Sequence, residues 1–147
     1  MKRIRYVSRF ASPMSREEVE EIARSSAERN ARDGITGVLI ASGNLFFQLI
    51  EGPDDAVDEC FARIVKDPRH VDIQSFGILQ GDLPRMCPDW AMKKVDLTHE
   101  ATAELEPLRV LVQVLATQRQ LVEELTDVLQ RVMWRELIYA ETSSLSE

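Results

Sequence analysis

The chain has 147 residues, 44% of them hydrophobic, which suits one folded domain with an appended element better than two domains. Its net charge of -7 offers little attraction to a phosphate backbone and argues against direct nucleic-acid binding. Two cysteines without metal-ligand spacing (Cys60 and Cys87), no apolar run of about 18 residues, and a basic N-terminus with no apolar core behind it predict a soluble, cytoplasmic protein with no membrane span and no signal peptide.

Residues 3–8 alternate and predict a first strand. Ser15-Arg16-Glu17-Glu18 is a capping box that opens a helix running to about Asn30, with Val19, Ile22, Ala23 and Ser26 along one face. Asp33-Gly34 is a turn. Residues 35–41 and 45–51, joined across Ser42-Gly43-Asn44, form a hairpin. Gly52-Pro53 breaks the third strand. Asp54 and Asp55 suit the start of a second helix, where carboxylates meet free amides. That helix runs to about Lys66 and turns Val57, Cys60, Phe61, Ile64 and Val65 inward. Residues 71–80 predict a fourth strand and 90–96 a fifth. The order βαββαββ is an α+β, ferredoxin-like plan with one added strand: a five-stranded mixed sheet with two helices on one face.

Both faces of the third strand are mostly apolar: Phe46, Gln48 and Ile50 on one, Leu45, Phe47 and Leu49 on the other. The two helices cover one face, and the C-terminal segment is the candidate cover for the other. Residues 98–106 are polar and read as a linker; Pro107 suits a helix start. Leu108, Leu111, Leu115, Gln118, Val122, Leu125, Leu129 and Val132 then follow a heptad seam, widened by Val114, Leu121 and Val128. A helix over 107–140, about 50 Å long at about 1.5 Å per residue, is expected to meet the sheet on one side and a second copy on another. Residues 141–147 read as a flexible tail.

Gln48 is a polar residue where the core pattern expects an apolar one, on the face that the helices cover. A buried amide must satisfy two donors and an acceptor or cost a few kcal/mol. Tyr6, on the first strand, also needs a partner for its hydroxyl. Two readings stay open: a buried Tyr–Gln hydrogen bond that fixes strand register, or a ligand site lined by both. Asn30 is either a helix-end residue or a binding group, and Arg63 and Lys66 are solvated charges or ligand contacts. Trp90 and Met92 alternate and fit one face of the last strand as core, and Cys60 and Cys87 fit inert thiols. His70 and His99 suggest no metal site, and no nucleotide-loop, dinucleotide or nucleophile-elbow motif is present.

In order, Tyr6-Val7-Ser8, Asn30 through Gly37, Phe46-Phe47-Gln48-Leu49-Ile50-Glu51-Gly52, Arg63 through His70, and Trp90-Ala91-Met92 resemble the BLUF family, the sensors of blue light using flavin. The resemblance covers residues 1–97 and leaves 98–147 unmatched. It implies a flavin between the two helices and against the sheet, FAD by default, with FMN or riboflavin as alternatives. Tyr6 then matches the photoactive tyrosine and Gln48 the switching glutamine. Asn30 matches the asparagine at the flavin's polar edge. Arg63, Asp67 and His70 match positions near the ring or its side chain, Ser26 and Ile22 line the ring, and Arg29 stacks on it or points to solvent. Trp90 and Met92 match the pair that changes packing with the signal state. Cys87 and Arg29 depart from the residues common in the family at those places.

The resemblance implies a photoreceptor, not an enzyme, that signals to an unidentified protein partner, and the heptad seam of the C-terminal helix predicts a homodimer through that helix. The alternative is a module that has lost flavin and serves as a structural or dimerisation protein.

Overall fold

The computed structural model describes residues 1–100 and 102–144, with the side chains at 133, 134 and from 136 onward left outside that description. The elements are β1 Lys2–Phe10, α1 Arg16–Asp33, β2 Thr36–Ser42, β3 Leu45–Gly52, α2 Asp54–Lys66, β4 His70–Gln80, β5 Lys93–Asp96 and α3 Glu106–Ser144, with a short 3-10 turn at Ala103–Leu105. Strand order across the sheet is β4-β1-β3-β2-β5, and only the β2–β5 pair is parallel. This is the expected α+β arrangement of a five-stranded mixed sheet, two packed helices and a C-terminal helix.

The chain divides into two compact units, Met1–Val112 and the segment from Gln113 onward. The first therefore extends past position 97 and takes in residues 98–106. The second carries exposed apolar side chains at Val114, Leu121, Val122, Leu125, Val128, Leu129 and Val132. Residues 141–144, expected in a flexible tail, belong to α3, and 145–147 lie outside the described residues.

Local chemistry accounts for the element ends. The Ser15 side chain accepts from the Glu18 N–H, and the Glu18 carboxylate accepts from the Ser15 N–H at 2.6 Å. Helix α1 runs three residues beyond Asn30, because Ala31, Arg32 and Asp33 keep helical geometry and the first left-handed residue is Gly34, at φ 69°. In α2, Val57 and Cys60 are buried, but Val65 is 54% exposed rather than turned inward, one position beyond the stripe that Ile64 completes.

The fifth strand is shorter than expected. It begins at Lys93, so Trp90, Ala91 and Met92 precede it. Their carbonyls are taken elsewhere: the Gly37 N–H donates to Trp90 O at 2.8 Å and the Asn30 side-chain amide to Ala91 O at 2.9 Å. Trp90 is 46% exposed and is not core, whereas Met92 packs on both apolar clusters.

Those two clusters explain where a site forms. One joins Ile4, Ile35 and Ile50 to Val57 and Cys60 of α2. The other joins Leu39, Ala41 and Phe46 to Val19 and Ala23 of α1. On the opposite sheet face Leu45 and Leu49 are buried, as are Arg3 and Glu51.

Close strand packing depends on Gly37. A Cβ there would lie 2.0 Å from the backbone oxygen of Leu49. Gly37→Ala is expected to destabilise the fold by about 1–3 kcal/mol, read as a lower urea midpoint, because the obstructing atom is backbone in the sheet centre and cannot swing aside. An unchanged midpoint would show that β2 shifts at little cost.

Candidate functional site

Between α1 and α2, above the middle of the sheet, lies a cleft of about 200 Å³. It is lined by Tyr6 of β1, Ile22, Ser26, Arg29 and Asn30 of α1, Gln48 of β3, Arg63 of α2, and Asp67 and His70 just beyond α2. All nine residues expected at a ligand site thus meet in one place. Leu39, Phe46, Cys60, Ile64 and Arg69 complete the lining.

The β1–β3 register puts Tyr6 directly opposite Gln48. The Tyr6 hydroxyl donates to Gln48 Oε1, and both residues are buried. Burial first, then the nearby Cys60 and Asp67, push the phenol well above its ordinary pKa, so Tyr6 holds its proton. The amide of Gln48 reaches only the thioether of Met92, at 3.6 Å. Sulfur is a weak acceptor, so the two amide hydrogens are poorly served.

Asn30, 2% exposed, is in a similar state. Its amide donates to Ala91 O, while its Oδ1 accepts from the Cys60 thiol at 3.8 Å. Two buried carboxamides with weak partners at one end face a slot whose other walls include Ile22, Leu39, Phe46 and Ile64. The slot therefore suits a flat heteroaromatic molecule with an edge of carbonyls and N–H groups.

Ser8, fully buried, meets His70 Nδ1 at 2.9 Å, and the His70 ring packs edge-on against Phe46 and tilted against Tyr6. Arg29, Arg63 and Arg69 set positive charge along the lining of an otherwise acidic protein. Arg63 pairs with Asp33 at 3.3 Å and Arg69 with Asp67, whose carboxyl is held below its usual range chiefly by that contact.

Trp90 and Met92 are not part of the lining, although Met92 touches Gln48. Phe46 could have been inferred from alternation with Gln48. Leu39 needs the β2–β3 register, where it opposes Gln48, and Cys60 needs the approach of α1 to α2 that brings Asn30 beside it. Among the described residues, no cluster of potential ligands could hold a metal ion, and no helix is long and apolar enough to cross a membrane.

Fold and cleft together define a small α+β domain with a cleft between two helices whose lining suits a planar, polar-edged molecule. The chain belongs to the BLUF family, sensors of blue-light using FAD, whose family model matches residues 1–93. It is similar to photoactivated adenylate cyclase subunit beta of Euglena gracilis, with 35% identity over 111 residues, 76% of this chain but 13% of that protein. Among solved structures, a bacterial light-regulated adenylyl cyclase superposes with a TM-score of 0.77 at 34% identity, covering 84% of this chain and 36% of the other. The dark state of BlrB, a BLUF protein, gives 0.64 at 37% identity, covering 76% of this chain and 90% of the other.

Burial lowers the His70 pKa first, with Arg69 adding to the effect and Asp67 opposing it. In the unfolded chain His70 takes up a proton near pH 6.5. The folded state resists that uptake, so stability present above about pH 6.5 is lost as the pH falls below it toward the folded-state value. Urea midpoints are expected to fall between about pH 7.5 and 5.5, and His70→Gln to flatten that fall. An unchanged slope in the variant would assign the effect to another group.

Proposed function

We propose that the protein is a blue-light photoreceptor that binds FAD in the cleft between α1 and α2 and switches through Tyr6 and Gln48. The observation that carries this reading is the buried Tyr6–Gln48 pair, whose amide has only a thioether at its donor end. The site fits a flavin ring: Gln48 and Asn30 offer poorly served amide groups to its polar edge, and Ile22, Ser26 and Ile64 offer walls to its faces. Arg63, Arg29 and His70, also in the lining, would hold its side chain and outer edge. FMN and riboflavin remain alternative occupants.

When bound, the flavin supplies a strong oxidant on absorbing blue light. Tyr6 is the residue able to release an electron together with its phenolic proton. Gln48 Oε1, its hydrogen-bond partner, receives that proton, and the amide then rotates or tautomerises. Return of proton and electron to Tyr6 leaves no net chemistry but a rearranged amide, a bistable element of the kind a switch requires. The Gln48–Met92 contact is broken or remade, and Met92, directly before Lys93, passes the change with Trp90 into β5 and on to α3 toward a protein partner. The domain is a sensor module rather than an enzyme. A second reading, a flavin-free dimerisation module, leaves the weakly partnered amides without a purpose.

The purified protein is expected to be yellow, to shift its absorption slightly to the red in blue light, and to recover in the dark. Colourless protein that refuses added flavin would sink the proposal. Tyr6→Phe and Gln48→Leu are each expected to bind flavin and lose the shift, since one removes the proton donor and the other the relay. A normal shift in both would place the switch elsewhere.

The exposed seam of α3 is read as a homodimer surface. Leu125→Glu is expected to weaken the dimer at least about tenfold by light scattering while leaving the flavin spectrum intact. A wild type that is monomeric at high concentration would remove the dimer.

A further inference from the structure

Between β4 and β5 the chain crosses the end of the sheet from one edge strand to the other, as an arm over residues 81–92. The arm is held at both ends. At the start, the Gly81 N–H donates to Met1 O at 3.0 Å, and Arg3 donates to Pro84 O at 2.6 Å. At the finish, Asn30 holds Ala91 O and Gln48 meets Met92 Sδ.

The strongest grip lies between these ends, at Glu51. Its side chain is wholly buried, and it accepts from Arg3 Nε at 2.9 Å, Cys87 N at 2.7 Å and Met86 N at 3.1 Å, with Thr36 Oγ1 at 3.4 Å. A carboxylate in such a place is tolerated only when its lone pairs are satisfied, and here two of the donors are backbone amides of the arm. Burial alone would raise the Glu51 carboxyl, but the Cys87 and Met86 amides and Arg3 outweigh it and hold it below the usual carboxylate range. Arg85 adds a neighbouring tie, donating to Thr36 Oγ1 and Gly34 O, each at 2.8 Å.

Glu51 stands three residues after Gln48 on β3, so the two side chains point to opposite faces of the sheet. One central strand thus holds the arm twice: by a charged group on the outer face and by a weak amide–thioether contact on the cleft face. The two grips differ in strength and in what they answer to. Nothing at the cleft acts directly on Glu51, whereas the Gln48 contact changes whenever the amide does.

We infer that Glu51 is a positioning residue of the sensor: by fixing the arm at Met86 and Cys87 it directs movement of Met92 into β5, which starts at the next residue. This rests on the Tyr6–Gln48 switch proposed above. With the arm fixed at 86–87, a displaced Met92 has only the four residues 88–91 behind it, of which Trp90 O and Ala91 O are themselves held by Gly37 and Asn30, and a strand directly ahead. With the arm loose, the same displacement is absorbed along 84–91.

The test compares the flavin-loaded wild type with Glu51→Gln, which keeps the shape and one carbonyl acceptor but loses the charge. Hydrogen exchange of residues 93–96 is measured in the dark and under blue light, beside the absorption spectrum. The wild type is expected to show both a red shift and a lit–dark exchange difference at 93–96. Glu51→Gln is expected to keep the red shift while the exchange difference falls at least about fivefold. A general loss of structure would reduce both readouts together. Should Glu51→Gln fail to fold, Arg85→Met, which releases the neighbouring tie, is expected to reduce the exchange difference in the same direction. A red-shifting wild type with no exchange difference at 93–96, or a variant that retains the full difference, overturns this inference alone. A wild type with no red shift overturns the switch and this inference with it.

Discussion

The hydrogen bond from Tyr6 to Gln48 sits where the middle of an apolar core would otherwise close. Direct opposition of the two residues across β1 and β3 makes the contact a consequence of register. Slipping either strand by one residue would turn every side chain to the other face. Because Gln48 is a carboxamide, the apolar material on the helix side separates into one cluster under α2 and another under α1, joined by Met92. The cleft is the space between those clusters. The fold accepts a gap there because the groups that line it need partners that aliphatic side chains cannot supply.

Electrostatics follows the same division. The protein carries a net charge of -7, yet Arg29, Arg63 and Arg69 line one cleft, and two of them are tied to Asp33 and Asp67 at its border. Three guanidinium groups against these two carboxylates leave the lining with an excess of about one positive charge, felt within the roughly 10 Å over which salt leaves charge effective. Net charge therefore speaks to nucleic-acid backbones and says little about a single anionic ligand held at close range.

Much of this was legible in the sequence, for identifiable reasons. Alternation and helical spacing are properties of adjacent residues, so β1 to β4, α1, α2 and the long helix could be placed. Gln48 was visible because it violates a local pattern, and Tyr6 because it shares the sheet with Gln48. What depends on distant contacts was not legible. Trp90 and Met92 read as alternating strand residues, but Asn30 and Gly37, more than fifty positions earlier, take the carbonyls that a ladder would have used. Glu51 closes the strand read over 45–51, and its burial depends on Arg3 and on two amides from residues 86 and 87. Cys60, read as an inert thiol, joins the cleft lining only through the approach of Asn30 on α1.

The two edges of the sheet are unequal, and that inequality bears on where an output would leave. Strand β4 spans eleven residues, and its ladder to β1 is interrupted near Asp72 and Gly77, which take positive φ and disfavour pairing with a further strand. Strand β5 has four residues and pairs with β2 alone. Its hold is reinforced by Lys94, which reaches Glu20 of α1 and Glu100 at 3.1 Å each, and by Asp96, whose buried carboxylate accepts the Thr98 and His99 N–H groups. The turn after β5 is in turn pinned to the β2–β3 hairpin, through Leu97 N to Ala41 O and Gly43 N to the Thr98 hydroxyl. A short parallel edge strand is the least costly part of a sheet to displace, and this one carries a rigid turn with it. A displacement arriving at Lys93 would therefore move residues 93–99 as a piece instead of fraying them. The Asp96 cap, by tying strand to turn, is what would convert a small change at Met92 into a change at the approach to α3.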